Sequence, residues 1–272
     1  MECVLNTEIA RKLASSGYFY ILHRFYQDQV ILALLNNFNK DGLVTSISLG
    51  VNQDSYDLID KIINYDLKVD FITIDIAHGH SVKMETMLKH LKSVMPDTFV
   101  IAGNVSTVEA VFDLEKWGAD AIKVGIGPGS ACTTYPTTGF GSRNCQASTI
   151  YHCATVANVP IVADGGVKNP GDIAKSLSLG ATMVMTGGLL SGYSDSPGNV
   201  IEIDGKPFKE FWGSASSFQT GKSNRIEGKK TLVDYKDQSL LEGLDYIKEC
   251  LQSSISYGGG KDITVFDNLQ WL

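Results

Sequence analysis

Ala121-Ile122-Lys123-Val124-Gly125-Ile126-Gly127-Pro128-Gly129-Ser130-Ala131-Cys132-Thr133-Thr134 runs from a short apolar segment into a glycine-built loop that carries one cysteine. The first four residues read as a buried strand, by their length, their apolar character and the glycine that ends them. Gly125, Gly127 and Gly129 alternate, which lets the backbone turn tightly and lets a ligand approach it, while Pro128 stiffens the turn. The dinucleotide fingerprint needs its third glycine one residue later and a helix behind it, and this loop offers neither. Cys132 therefore stands at the C-terminal end of a strand, where a nucleophile would sit and where a small buried hydrophobe would sit as well.

Outward from this loop the same unit repeats. Apolar runs at Tyr18–Leu22, Val44–Leu49, Phe71–Asp75, Phe99–Ala102, Ile161–Ala163 and Met183–Met185, with Ala121–Val124, make seven expected strands. Helical spacing separates them, as in Val82, Met84, Leu88, Leu91 and Val94, or Val108, Val111, Phe112 and Leu114 after an expected N-cap at Ser106. Continuous apolar strands alternating with amphipathic helices imply a parallel sheet covered on its faces.

Polar clusters follow nearly every strand: His23-Arg24, Asp75-Ile76-Ala77-His78-Gly79-His80, Gly103-Asn104, Gly125 to Thr134, Asp164-Gly165-Gly166 and Gly187-Gly188. Chemistry spread over all the C-terminal strand ends is the pattern of a (β/α)8 barrel, whereas a doubly wound sheet gathers its site at one switch point. The expected fold is thus an α/β (β/α)8 TIM barrel. Glycines after the last two strands fit the phosphate site such barrels build from backbone amides and a helix N-terminus.

Composition agrees with a small-molecule enzyme in one domain. The 272 residues are 43% hydrophobic and carry a formal net charge of -7 without long basic runs, which argues against nucleic acid and anionic membranes as partners. Five cysteines show no paired metal spacing, and neither a signal peptide nor a membrane-spanning apolar run is visible, so reduced thiols in the cytoplasm are expected. His78 and His80 invite a metal reading, but nothing is arranged beside them to complete a site.

Gly-Pro-Gly-Ser-x-Cys-x-Thr, Ile-Ala-Gly-Asn-Val, Ala-Asp-Gly-Gly and Asp-Ile-Ala-His-Gly-His together resemble the inosine-monophosphate dehydrogenase and guanosine-monophosphate reductase superfamily. Gly213-Ser214-Ala215-Ser216, Ile226-Glu227-Gly228-Lys229-Lys230 and Leu251 to Tyr257 are similar to its reductase branch, and the resemblance spans essentially the whole chain. The dehydrogenase branch would bring an Arg-Gly-Met-Gly-Ser stretch and an Arg-Tyr pair on a flap; neither is seen here.

The resemblance implies NADPH-dependent conversion of guanosine monophosphate (GMP) to inosine monophosphate (IMP) and ammonia, with inosine-monophosphate dehydrogenase activity as the chemically adjacent alternative. It implies Cys132 as nucleophile on the purine C2, with Thr134 and Glu227 as the proton-transfer pair for the amine. Asp164 would bind ribose hydroxyls, Gly165, Gly166, Gly187 and Gly188 the phosphate, and Gly213, Ser214, Ala215 and Gly228 the base side. Arg24, Asp75, Ala77, Gly125, Ile126, Tyr257, Gly258 and Gly259 would serve the cofactor, and the carbonyls of Gly127, Gly129 and Cys132 a potassium ion. A homotetramer is the implied assembly.

Asp75 as a helix cap, Arg24 as a surface cation and Glu227 within a solvated cluster of Lys222, Arg225, Lys229 and Lys230 are the plainer readings of those residues. Two departures stand out: Tyr135 where a basic residue is common, and Ser142-Arg143-Asn144-Cys145 where glycine or aromatic residues are. The resemblance also sets Met1 at the end of the first barrel strand. Residues 1–272 are then expected to form one N-terminally incomplete barrel, open or distorted, with a non-catalytic nucleotide-binding fragment as the competing function.

Overall fold

Four-residue runs such as Ser46–Leu49 and Ala121–Val124 are buried along their whole length, the condition of a strand flanked by two neighbours and covered on both faces. The computed structural model describes residues 1–214, 216–220 and 228–269. In chain order it contains α1 (Thr7–Ser15), α2 (Asp28–Lys40), β1 (Ser46–Leu49), α3 (Gln53–Asn64), β2 (Phe71–Asp75), α4 (Val82–Val94), β3 (Phe99–Val105), α5 (Val108–Lys116) and β4 (Ala121–Val124). There follow α6 (Thr134–Thr138), α7 (Gln146–Val156), β5 (Ile161–Asp164), α8 (Pro170–Ser178), β6 (Met183–Met185), β7 (Val200–Ile203), β8 (Lys206–Trp212), α9 (Ser217–Thr220), β9 (Lys230–Asp234) and α10 (Leu240–Tyr257).

β1 to β6 pair in sequence order, all parallel, as one curled sheet: a partial (β/α)8 barrel. Six of the seven expected strands form a ladder. The seventh, Tyr18–Leu22, lies beside β1 but makes only the single bridge Leu22 to Ile47, with one backbone hydrogen bond from Leu22 N to Ser46 O at 3.1 Å. Side chains hold this segment instead: the Tyr20 hydroxyl donates to Val44 O, Ser48 Oγ donates to Leu22 O, and the Phe19 ring stands edge-on to Phe71 at 4.9 Å. The expected open barrel is what the described residues show.

Helix ends follow the expected chemistry with one correction. The cap of α5 is Thr107, whose side chain accepts from Ala110 N, and not Ser106, whose Oγ accepts instead from Ile126 N in the cysteine loop. Asn169 with Asp172 and Ser239 with Glu242 form capping boxes at the starts of α8 and α10. The main core lies between the sheet and α1 to α5, where Ile59, Ile62, Met84, Met87, Leu88 and Leu91 have no exposed surface. β7, β8 and β9 form a separate antiparallel sheet that the strand pattern did not announce.

Candidate functional site

The cysteine loop is built where the six-stranded sheet, the loops after β5 and β6, and the antiparallel sheet meet. Gly125 starts it with φ +139°, and a Cβ there would lie 2.1 Å from the Asp164 carbonyl oxygen, so only glycine allows β4 and β5 to end this close together. Cys132 N donates to Gly129 O at 3.0 Å, closing a turn that leaves the thiol half-buried with Sγ 3.1 Å from Thr134 Oγ1. Thr134 begins α6, so the loop hands the pair directly to a helical turn.

Much of the expected site converges here. The Cα of Gly165 and that of Gly188 face the loop: Cβ atoms on them would lie 2.9 Å from Pro128 Cγ and 3.5 Å from Ser130 Oγ. Gly213 sits against the Ala131 carbonyl, Cys132 makes an antiparallel bridge with Gly228, and Lys229 N donates to Ala131 O at 2.9 Å. The antiparallel sheet thus presents the residues just before β9 to the nucleophile candidate. Glu227 and Ala215 lie outside the described residues; Gly228, the neighbour of Glu227, is the residue paired with Cys132.

A second cluster occupies the centre of the barrel mouth. Lys123, on β4 and 3% exposed, places Nζ 2.9 Å from Asp75 Oδ1 and 2.6 Å from Asp164 Oδ2, and donates to Asn104 Oδ1. Asn104 Nδ2 donates in turn to Asp164 Oδ2 at 2.8 Å and to Gly125 O at 2.5 Å. Burial alone would depress the Lys123 ammonium; the Asp164 and Asp75 carboxylates outweigh it and hold it above its ordinary range. Burial pushes the Asp75 carboxyl up, and Lys123, with Arg24 further off, brings it below the usual carboxylate value. Asp75 is therefore no helix cap; Ser81 caps α4.

Arg24 donates Nε to the Asp75 carbonyl at 3.0 Å and lies over the Phe25 ring, so it is tied to the mouth and is not a free surface cation. Ala77 is exposed two residues beyond Asp75. Tyr257, Gly258 and Gly259 instead close the end of α10, where the Gly258 and Gly259 amides donate to Ser254 O and Ser256 O and Gly258 packs on Val265. No hydrogen bond, ion pair or ring contact among the described residues joins that turn to Arg24 or Asp75. His80 Nε2 pairs with Asp113 Oδ2 at 2.7 Å, and no three His, Cys, Asp or Glu side chains group to hold a metal among the described residues.

The sequence of this chain matches the IMP dehydrogenase / GMP reductase domain over residues 1–270. The chain belongs to that family. It is 50% identical to the GMP reductase of Lactobacillus delbrueckii subsp. bulgaricus over 272 residues, which cover all of this chain and 82% of that protein. It is 48% identical to the GMP reductase of Clostridium acetobutylicum over 272 residues, covering 83% of it, and 49% identical to that of Paracidovorax citrulli over 261 residues, or 96% of this chain and 79% of that protein. Membership places the chain among oxidoreductases.

Lys123 and Gln146 escaped the sequence reading. Gln146 Nε2 donates to Val124 O at 3.0 Å and Asp164 O at 3.3 Å, clamping the ends of β4 and β5 from the start of α7. The signal for Lys123 was a lysine in an otherwise apolar four-residue strand, a position that a charge occupies only when paired. The two family departures turn out to be neighbours: the Arg143 guanidinium lies over the Tyr135 ring at 5.2 Å. No helix among the described residues is long and apolar enough to cross a membrane.

Proposed function

We propose that the chain is an NADPH-dependent GMP reductase. The observation that carries this reading is the Cys132 Sγ to Thr134 Oγ1 contact of 3.1 Å, on a loop flanked by Gly165, Gly188 and Gly213 and bridged to the residue after Glu227. Similarity to three GMP reductases at 48 to 50% identity supports it.

In this reading GMP lies across the mouth with its phosphate on the amides of Gly165, Gly166, Gly187 and Gly188, its ribose hydroxyls donating to Asp164, and its base near Gly213, Ser214, Ala215 and Gly228. The Cys132 thiolate attacks C2, forming a C–S bond. Thr134 and Glu227 pass a proton to the 2-amino group, which leaves as ammonia. NADPH, held by the Arg24 and Asp75 side of the mouth, would supply the hydride that C2 takes up. The C–S bond then breaks with its electrons returning to sulfur, and IMP is released.

Arg24, Asp75, Ala77, Gly125 and Ile126 form the cofactor side, to which the same reading assigns Tyr257, Gly258 and Gly259. Arg24 fits an anionic group: only its Nε is hydrogen-bonded among the described residues, which leaves the outer N–H groups as donors. The carbonyl oxygens of Gly127, Gly129 and Cys132 are hard donors suited to potassium, and Gly129 O, accepting one bond from Cys132 N, retains a second lone pair. The same reading takes residues 1–272 as one catalytic barrel domain in a cytoplasmic homotetramer engaged in purine nucleotide salvage.

The test is to incubate the purified chain with GMP and NADPH and follow NADPH absorbance together with ammonia. Stoichiometric loss of NADPH and gain of ammonia is expected. A folded chain that binds GMP but oxidises no NADPH would instead establish the non-catalytic nucleotide-binding reading, and turnover of IMP with an oxidised nicotinamide alone would establish the dehydrogenase.

A further inference from the structure

The Lys123 ammonium has three N–H donors and spends them on three groups from three other strand ends: Asp75 Oδ1, Asn104 Oδ1 and Asp164 Oδ2. It keeps no donor for a ligand. The carboxylates are in the opposite position, because Asp75 Oδ2 and Asp164 Oδ1 take no hydrogen bond among the described residues. Asp75 and Asp164 keep 32% and 22% of their side-chain surface exposed, so each offers an acceptor to the mouth while its other oxygen is held from below.

The fold makes room for this arrangement. Gly103 is the β3 partner of Lys123 in the ladder, and a Cβ at Gly103 would lie 2.7 Å from the Lys123 Cβ and 2.6 Å from its carbonyl oxygen. Besides Asp75, Asn104 and Asp164, the charged groups around the cluster are Arg24, whose guanidinium draws Asp75 down, and the amino group of Met1, which lies near Asp75, Asp164, Lys123 and Cys3.

We infer that Lys123 is the positioning residue of the mouth, one cation that fixes the ribose-side carboxylate Asp164 and the cofactor-side carboxylate Asp75 together as acceptors. The inference rests on the GMP reductase reading for the identity of the ligands. Without the ammonium, two carboxylates face each other across a narrow mouth and cannot both stay charged as the pH falls. A proton taken up there is shared between Asp164 and Asp75 and so weakens the hydroxyl acceptor that GMP needs, and the loss of affinity depends on pH.

The experiment measures the GMP dissociation constant of Lys123→Met and of the unaltered chain from pH 8 to pH 5.5. The ratio of the two is used because titration of the GMP phosphate cancels in it. The ratio is expected to rise by about tenfold toward pH 5.5, since about one pKa unit corresponds to a tenfold change; Lys123→Arg, which keeps the cation, is expected to hold it flat. A ratio that is flat for Lys123→Met overturns the inference, because loss of a merely structural lysine weakens binding equally at every pH.

The carboxyl ¹³C titration of Asp75 in the ligand-free chain separates this from failure of the function itself. A chain that binds no GMP at any pH overturns the GMP reductase reading alone; the inference then stands if Asp75 titrates higher in Lys123→Met than in the unaltered chain and falls if it does not. If Lys123→Met does not fold, Lys123→Gln, which keeps a hydrogen-bond donor and removes the charge, takes its place: its ratio is expected to rise toward pH 5.5 in the same way, and a flat ratio overturns the inference.

Discussion

The two ends of the parallel sheet are built from the same strands and could hardly differ more. Side chains two residues apart on a strand share a face, so β2 lends the barrel interior Phe71, Thr73 and Asp75, β4 lends Ala121 and Lys123, and β5 lends Val162 and Asp164. At the N-terminal end Phe19, Phe71, Phe99, Ile101, Ala121, Val162 and Met183 line an apolar cavity of about 250 Å³. At the C-terminal end the same strands finish in Asp75, Lys123 and Asp164, locked by ion pairs of 2.6 and 2.9 Å. β2, β4 and β5 each change from apolar to charged within one or two inward positions. The floor is loosely filled and tolerates volume; the mouth is fully specified and tolerates almost nothing.

The largest effect should come from the mouth and leave the floor untouched. Cys132→Ser keeps the loop geometry and removes the nucleophile, so GMP turnover is expected to fall by at least about a thousandfold, the scale of losing a covalent catalyst. Thermal unfolding of the variant should match the parent. A rate within tenfold of the parent breaks the assignment of Cys132.

The floor answers in stability instead. Ile101→Ala, at a residue 2% exposed beside the apolar cavity, is expected to cost about 2–5 kcal/mol in denaturant unfolding. The KM for GMP at a temperature where the variant is folded should stay within twofold. If KM changes with stability, the two ends of the sheet are coupled and the comparison fails.

How much of this was legible depended on where each strand's partners come from. β2 to β5 were visible because a strand covered on both faces is a mainly apolar run, and Phe71–Asp75 and Ala121–Val124 agree with the sequence reading residue for residue. Tyr18–Leu22 has the same composition and makes one bridge, because pattern reports burial and not ladder pairing. β7 to β9 were missed since Lys206, Lys209, Glu210 and Lys230 break up the apolar run in an antiparallel sheet with one wet face; Asp204-Gly205, both at positive φ, was the hairpin signal. The cysteine loop could be read from its own residues. For Lys123 the sequence announces a buried, paired charge but not its partners, which lie 41 and 48 positions away and are brought together only by the parallel register.

A smaller effect tests the wall of the mouth. His23 is 7% exposed, its Nδ1 accepts from Phe25 N, its Nε2 has no hydrogen-bond partner among the described residues, and its ring stacks on Tyr26 at 4.3 Å. Burial pushes its pKa down to about 3, so the folded chain keeps it neutral while an unfolded one protonates it near pH 6.5. Between these values the unfolded state binds the extra proton, and stability falls as the pH falls, by up to about 1.4 kcal/mol per pH unit. His23→Phe should flatten that slope between pH 6 and 4; an unchanged slope assigns the acid sensitivity to other groups.

The smallest effect discriminates between the two ends most sharply. Ala121 is 2% exposed and borders the floor cavity, two residues from Lys123 on the same face of β4. In a tightly packed interior, Ala121→Val would force its neighbours apart and cost about 1–3 kcal/mol. Beside an apolar cavity of about 250 Å³ the two added methyl groups have space, and a β-branched side chain suits a strand. The expected outcome is a gain of about 0.5–1 kcal/mol in denaturant unfolding, in the range of cavity-filling substitutions. A loss above 1 kcal/mol would mean that the floor is as rigidly specified as the mouth, and that the division of labour along β4 is not one of packing.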